Sequence, residues 1–171
     1  MNQLAEVKGA FELGDFIDIP DTKLSEAEYR TWICEAEKTI CSNFDTVDRH
    51  TGISSGYTLE HAITPGIYTR ALTMPKDTLN FSKIHIETHP FALLKGKISV
   101  FDGEKVVLLE APYKGVTMAG TKRVAYVHEE VVWITFHPVS TDELEKLDEN
   151  GVITCDTFEE FDQLRLSGGV L

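Results

Sequence analysis

Between Lys83 and His89 four polar side chains alternate with two isoleucines: Lys83, His85, Glu87 and His89 against Ile84 and Ile86. Period-two alternation marks a β-strand whose successive side chains point to opposite faces. The polar residues therefore share one face. Directed into a closed interior, two imidazoles and a carboxylate would converge there. Nitrogen and oxygen donors of this kind suit a divalent metal ion, so His85, Glu87 and His89 are the candidate metal ligands. Such an ion would act as a Lewis acid, with His or Glu carrying protons. Directed outward, the same residues are solvated strand positions above a core holding Ile84 and Ile86. The alternation taken alone favours the outward arrangement.

Arg123 offers a second chemistry. A guanidinium in a partly dry interior reads a carboxylate or phosphate through paired hydrogen bonds. With Tyr126 and Trp133 nearby it would hold a sugar-like, nucleotide-like or other small anionic ligand. The plainer alternative pairs Arg123 with an internal Glu or leaves it exposed on a strand. Beside a dication it would repel the ion. His128, next to Glu129-Glu130 at an expected hairpin tip, and His137 read as structural or surface residues. His50 and His61 fall in a turn-rich stretch and read as surface. No catalytic nucleophile stands out: there is no G-x-S-x-G elbow and no Cys with an evident His partner. Phosphate loops and dinucleotide fingerprints are likewise missing.

The elements that would carry these residues are short β-type runs. Ile67–Met74 reads as a strand, followed by the run before Pro90 and then Ala92–Phe101. Asp102-Gly103 between apolar runs predicts a hairpin into Lys105–Leu109. Arg123–His128 and Val131–His137 follow, the latter rich in β-branched and aromatic residues. Many short strands between turns predict a sandwich or barrel. Residues 25–42 predict a helix, with Ser25 and Glu28 as a capping box. Tyr29, Trp32, Ile33, Ala36 and Ile40 form its apolar stripe, expected to pack on the outside of the barrel. Phe16–Pro20 reads as an extended piece able to add a strand to a sheet edge. Thr141 caps an expected short helix ending at Asn150-Gly151, Val152–Thr154 reads as a strand, and residues 156–164 read as another helix.

Within this frame the spacing resembles the cupin superfamily, the small jelly-roll barrel. Its first motif sets a carboxylate seven residues before a glycine, with a His-x-His pair just upstream. Gly96 stands at the glycine, His89 at the carboxylate, His85 at the second His and Lys83 at the first. The second motif has Pro-x-Gly and a His three residues after the Gly. Met118-Ala119-Gly120 stands for the former, and Arg123 occupies the His position. The stretches Gly120–His128 and Trp133–His137 also resemble small single-domain cupin-like proteins encoded by tailed bacteriophages. The resemblance implies a mainly β fold, a cupin-like jelly-roll barrel with an N-terminal helix and a short helical C-terminal extension. The divisions are residues 1–66 (arm, helix and loop), 67–138 (barrel) and 139–171 (extension).

Composition narrows the role. The 171 residues carry a formal net charge of −12, which disfavours nucleic-acid backbones and anionic membrane surfaces as partners. No run of about 18 apolar residues predicts a membrane span. The N-terminal stretch lacks a basic region followed by an apolar one, so no signal peptide is expected. The three cysteines fit a reducing compartment. Cys34 and Cys41, two helical turns apart, stand too far from each other for a disulfide. The leading expectation is a non-enzymatic, phage-type homo-oligomer in the host cytoplasm or virion. It would be a virion-associated part contacting other virion proteins, or a binder of a small anionic ligand, with no required cofactor. The alternative is a metal-dependent cupin enzyme, an oxygenase, isomerase or epimerase, working in the barrel lumen.

Overall fold

The computed structural model describes residues 12–43, 57–139 and 154–168. The helix expected from Thr141, its stop at Asn150-Gly151, Val152-Ile153 and His50 lie outside the described residues. In chain order the elements are a short 3-10 turn (Leu13–Asp15), α1 (Glu26–Asn43), β1 (Thr58–Thr64), β2 (Gly66–Met74), β3 (Leu79–Phe81) and β4 (Ile84–His85). There follow β5 (His89–Phe101), β6 (Val106–Glu110), β7 (Tyr113–Thr117), β8 (Val124–Val139), β9 (Thr154–Cys155) and α2 (Phe158–Leu166). Among the described residues the protein is mainly β, with one helix before the strands and one after them, as expected.

Two long strands organise the sheet, whose order is β1-β2-β8-β5-β6. β8 pairs with β2 along its C-terminal half and with β3 along its N-terminal end. β5 pairs with β7 through His89–Leu93 and with β6 through Lys97–Phe101. Each long strand thus serves two partners in succession and joins the two halves of the barrel. Glu129-Glu130 does not end a strand: β8 runs through it, and His128 lies within the strand, not at a hairpin tip. What the acidic pair faces is a bulge in β5, where the β5–β8 register shifts between Leu93 and Ile98.

Gly96 makes that bulge. Its φ is +85°, and a Cβ there would meet the Glu130 carbonyl oxygen at 2.1 Å. Only glycine meets both demands. A one-residue register shift moves a strand's side chains to its other face. Before the bulge Leu93 points inward, and after it Ile98 and Val100 do, while β8 keeps Val131, Val127 and Ala125 inward throughout. These residues and Met74 form one interior core that spans both halves.

The outer face of the second half carries Phe101, Val124 and Tyr126, covered by Leu13, Ile17 and Ile40. The α1 stripe therefore packs on the outside of the barrel. Its capping box is formed: the Ser25 N–H donates to Glu28 Oε2 at 2.8 Å, and the Glu28 N–H to Ser25 Oγ at 3.4 Å. Phe16–Pro20 adds no strand. Phe16 stacks on Tyr126 at 5.1 Å and Trp32 Nε1 donates to the Asp18 carbonyl, so its apolar residues are spent on packing. α2, capped by Thr157, closes a third cluster of Ile33, Ile84, Cys155, Phe158 and Phe161.

Two local expectations change. Residues 58–64, in the stretch read as turns, form an edge strand paired to β2 across Pro65-Gly66. Proline followed by a glycine at φ +88° matches a type II turn. The edge position explains why so few of its residues are apolar. The run from Lys83 to His89 is not one strand: β4 holds only Ile84–His85, and β5 starts at His89.

Candidate metal centre

Three histidines meet inside the barrel. His85, His89 and His137 each offer a ring nitrogen, and these atoms all lie within 4.8 Å of one another. Strand register brings two of them together. Phe91 is paired with Thr135 across β5 and β8. Two residues further along the same antiparallel register, His89 comes opposite His137 on the same face. Their ring centroids are 4.2 Å apart. His85 stands at the end of β4, and the chain then turns through residues 86–88 to bring His89 back beside it. Its backbone is tied to the turn before β8: the Gly120 N–H donates to the His85 carbonyl at 2.7 Å, and the His85 N–H to Thr121 O at 3.3 Å. The His85 and His89 centroids are 4.3 Å apart. On its other side Gly120, with φ +77°, packs against α2, where a Cβ would meet the Phe161 ring at 2.8 Å.

The hydrogen bonds set the ring nitrogens. His89 Nδ1 donates to the Glu87 carbonyl at 2.9 Å, which leaves Nε2 as the lone-pair nitrogen. That Nε2, like His85 Nδ1, is buried without a hydrogen-bond partner among the described residues. His137 Nε2 lies 2.9 Å from Thr135 Oγ1, and the Thr135 hydroxyl donates in turn to the Arg70 carbonyl at 3.5 Å. His137 Nε2–H therefore donates to Thr135, leaving Nδ1 as its lone-pair nitrogen. His89 and His137 are each 1% exposed. Burial, before any charge effect, pushes all three pKa values down. His85 falls well below its ordinary range, further lowered by His89, His137, Arg70 and Arg123. His89 is also lowered, and His137 drops to about 3. Neutral imidazoles are the form that binds a metal.

The other residues singled out by the sequence fall in different places. Glu87 supplies its backbone carbonyl to His89, while its carboxylate is not part of the three-donor cluster. Lys83 is paired with Asp156 at 3.2 Å. Arg123 reaches the site: Nη1 donates to Thr117 Oγ1 at 3.1 Å, and Thr117 is the cross-strand partner of His89. The guanidinium carbon stands 5.9 Å from the Phe91 ring centroid. Trp133 is on the same inner surface, stacked on Phe91 at 4.2 Å. Tyr126 is directed away from them, into the α1 packing, where its hydroxyl donates to Asp77 at 3.0 Å. A cleft of about 580 Å³ between the two helices and the turn before β8 also has Arg123 on its wall, but none of the three histidines lines it.

Sequence reasoning missed His137 and Arg70. Arg70 is the cross-strand partner of Thr135, so it flanks His137 on the same face. The alternation Trp133-x-Thr135-x-His137 was visible, but its meaning depends on which strand lies beside it.

The donor set fits a metal ion. Two buried lone-pair nitrogens and a third in reach can act together as donors to a cation, and three imidazoles suit a divalent transition metal.

The described residues form a mainly β fold with a three-histidine interior. No family model and no curated protein matches the sequence. Among solved structures, a cupin-2 domain protein from Shewanella frigidimarina is 12% identical, over 60% of this chain and 92% of that one, at TM-score 0.41. KdgF from a Halomonas species is 17% identical, over 59% and 92%, at TM-score 0.44. An RmlC-like cupin with a double-stranded β-helix fold from Methanocaldococcus jannaschii is 8% identical, over 59% and 96%, at TM-score 0.43. These are likenesses of fold, and the chemistry rests on this chain's own residues.

Proposed function

We propose that this protein is a metal-dependent enzyme that holds a divalent transition-metal ion through His85, His89 and His137. The observation that carries the reading is the pair of buried, unpartnered lone-pair nitrogens, His85 Nδ1 and His89 Nε2, beside His137. Structural metal sites are closed by four protein ligands, whereas catalytic ones keep open positions beside three. Three histidines without a carboxylate follow the second pattern. When bound, the ion supplies Lewis-acid polarisation of an oxygen on the substrate. The Glu87 carbonyl orients His89, and Thr135 orients His137, as outer partners of metal-ligating imidazoles do. Phe91 and Trp133, stacked at 4.2 Å, are apolar neighbours on the same inner surface.

Elemental analysis of protein purified without chelator or nickel resin tests this. Near-stoichiometric iron, manganese, zinc or nickel is expected in the wild type and loss of it in His89→Ala/His137→Ala, with the fold followed by circular dichroism. Protein that takes up no metal, even when reconstituted, would overturn the proposal.

The second reading is the non-catalytic one: an oligomeric, phage-type module that is virion-associated or binds a small anion in the same lumen. Arg70 and Arg123 favour it, because two guanidiniums beside the histidines oppose a dication. Under that reading the double variant folds and assembles like the wild type, and neither contains metal.

A further inference from the structure

We propose that Arg70 and Arg123 form a two-sided anion clamp over the histidine cluster, so that the ligand taken into the barrel carries an oxyanion group, a carboxylate or a phosphoryl. This rests on the barrel interior being a ligand site, which both readings above share, and not on a bound metal. Arg123 stands on the His89 side, bonded to Thr117 across from His89. Arg70 stands on the His137 side, across from Thr135, which bonds His137. Both are half-buried, and burial lowers the pKa of each.

The treatment of other buried cations in the chain sets these two apart. Arg30 is paired with Glu26 at 2.7 Å and Asp162 at 2.8 Å. Lys122, 4% exposed, is paired with Glu37 at 3.2 Å. Among the described residues neither Arg70 nor Arg123 has a carboxylate within ion-pair distance. Buried charge without a partner is costly. Two such guanidiniums beside three neutral imidazoles give the interior a positive potential that an entering anion would offset, with Asp102 acting on Arg123 only at longer range. Guanidinium forks match the two oxygens of a carboxylate or phosphoryl group.

The clamp is tested on metal-free protein, so that its failure is separate from failure of the metal proposal. Calorimetric titration with malonate and with inorganic phosphate is expected to show saturable binding. Preference for one probe identifies the oxyanion. Arg70→Gln and Arg123→Gln should each weaken the preferred probe about tenfold or more, since each removes a charge-assisted bond. Lys105→Gln, at the exposed β5–β6 hairpin, should leave it unchanged. Arg123→Lys, which keeps the charge but loses the fork, should bind more weakly than wild type while folding normally. Absence of saturable binding of either probe to the wild type overturns the proposal. So does binding that Lys105→Gln weakens as much as the arginine variants do.

Discussion

Acidification should destabilise the metal-free protein through His137, and one substitution isolates the effect. Burial, reinforced by His89 and Arg70, pushes this imidazole from 6.5 down to about 3. In the unfolded chain it titrates near the ordinary value of about 6.5. Below that pH the unfolded state holds a proton that the folded state refuses. Stability is therefore unaffected above about 6.5 and falls as pH falls towards the folded value. Between pH 7 and pH 5 the folded imidazole stays neutral, so the loss is set by the unfolded value. About one and a half pH units, at about 1.4 kcal/mol each, gives about 2 kcal/mol. His137→Gln keeps a polar side chain beside Thr135 and does not titrate. Carboxylates and other groups titrate in both proteins and largely cancel in the difference. Urea denaturation at the two pH values, with chelator present and tryptophan fluorescence as the signal, reads the effect. Wild type should lose about 2 kcal/mol more than His137→Gln on going to pH 5. That is a further midpoint drop of about 1 M at an m-value of about 2 kcal/mol/M. Equal losses in the two proteins would refute a buried, neutral His137, and with it the account of the three-histidine interior.

Two further expectations follow from packing. Gly96→Ala should cost about 1–2 kcal/mol for the left-handed backbone and about 1–3 kcal/mol more for the contact with the Glu130 carbonyl. A measured loss under about 1 kcal/mol would show that the β5 bulge relaxes and does not set the inward face. Lys122→Met should destabilise the fold by about 1–3 kcal/mol, because it removes a buried cation bonded to Glu37 at 3.2 Å and to the Ser82 carbonyl at 2.9 Å. Adding Glu37→Leu should recover most of that loss, and a double variant no more stable than the single one would contradict the pairing.

Much of the frame was legible in the sequence because it is locally encoded. The Ser25–Glu28 box begins α1, and α2 falls largely within the helical stretch read over residues 156–164, since each needs only residues within a helical turn or two. Asp102-Gly103 turns β5 into β6, with Asp102 Oδ1 accepting the Glu104 and Lys105 N–H groups at 2.9 Å. Gly96 and Gly120, which the cupin resemblance picked out, prove to be positions where a Cβ has no room. β1 was missed because an exposed edge strand shows little apolar patterning. The continuity of β8 through Glu129-Glu130 was missed because two acidic residues read as a break, when they face a bulge.

The sequence by itself determined that the chain would be mainly β, with a helix on either side, and that polar residues would gather between Lys83 and His89. Period two says that two sets of side chains part company; it does not say which set is enclosed. That was decided by closure of the sheet, which put His89 inside and Ile84 under the helices. The partner of His89 was decided by long-range register: Phe91 beside Thr135 makes His137, not Glu87, its neighbour. The same register put Arg70 beside the histidines and turned Tyr126 away from them. Local pattern carries strand and turn, whereas a site built from β2, β4, β5 and β8 exists only once the strands have paired.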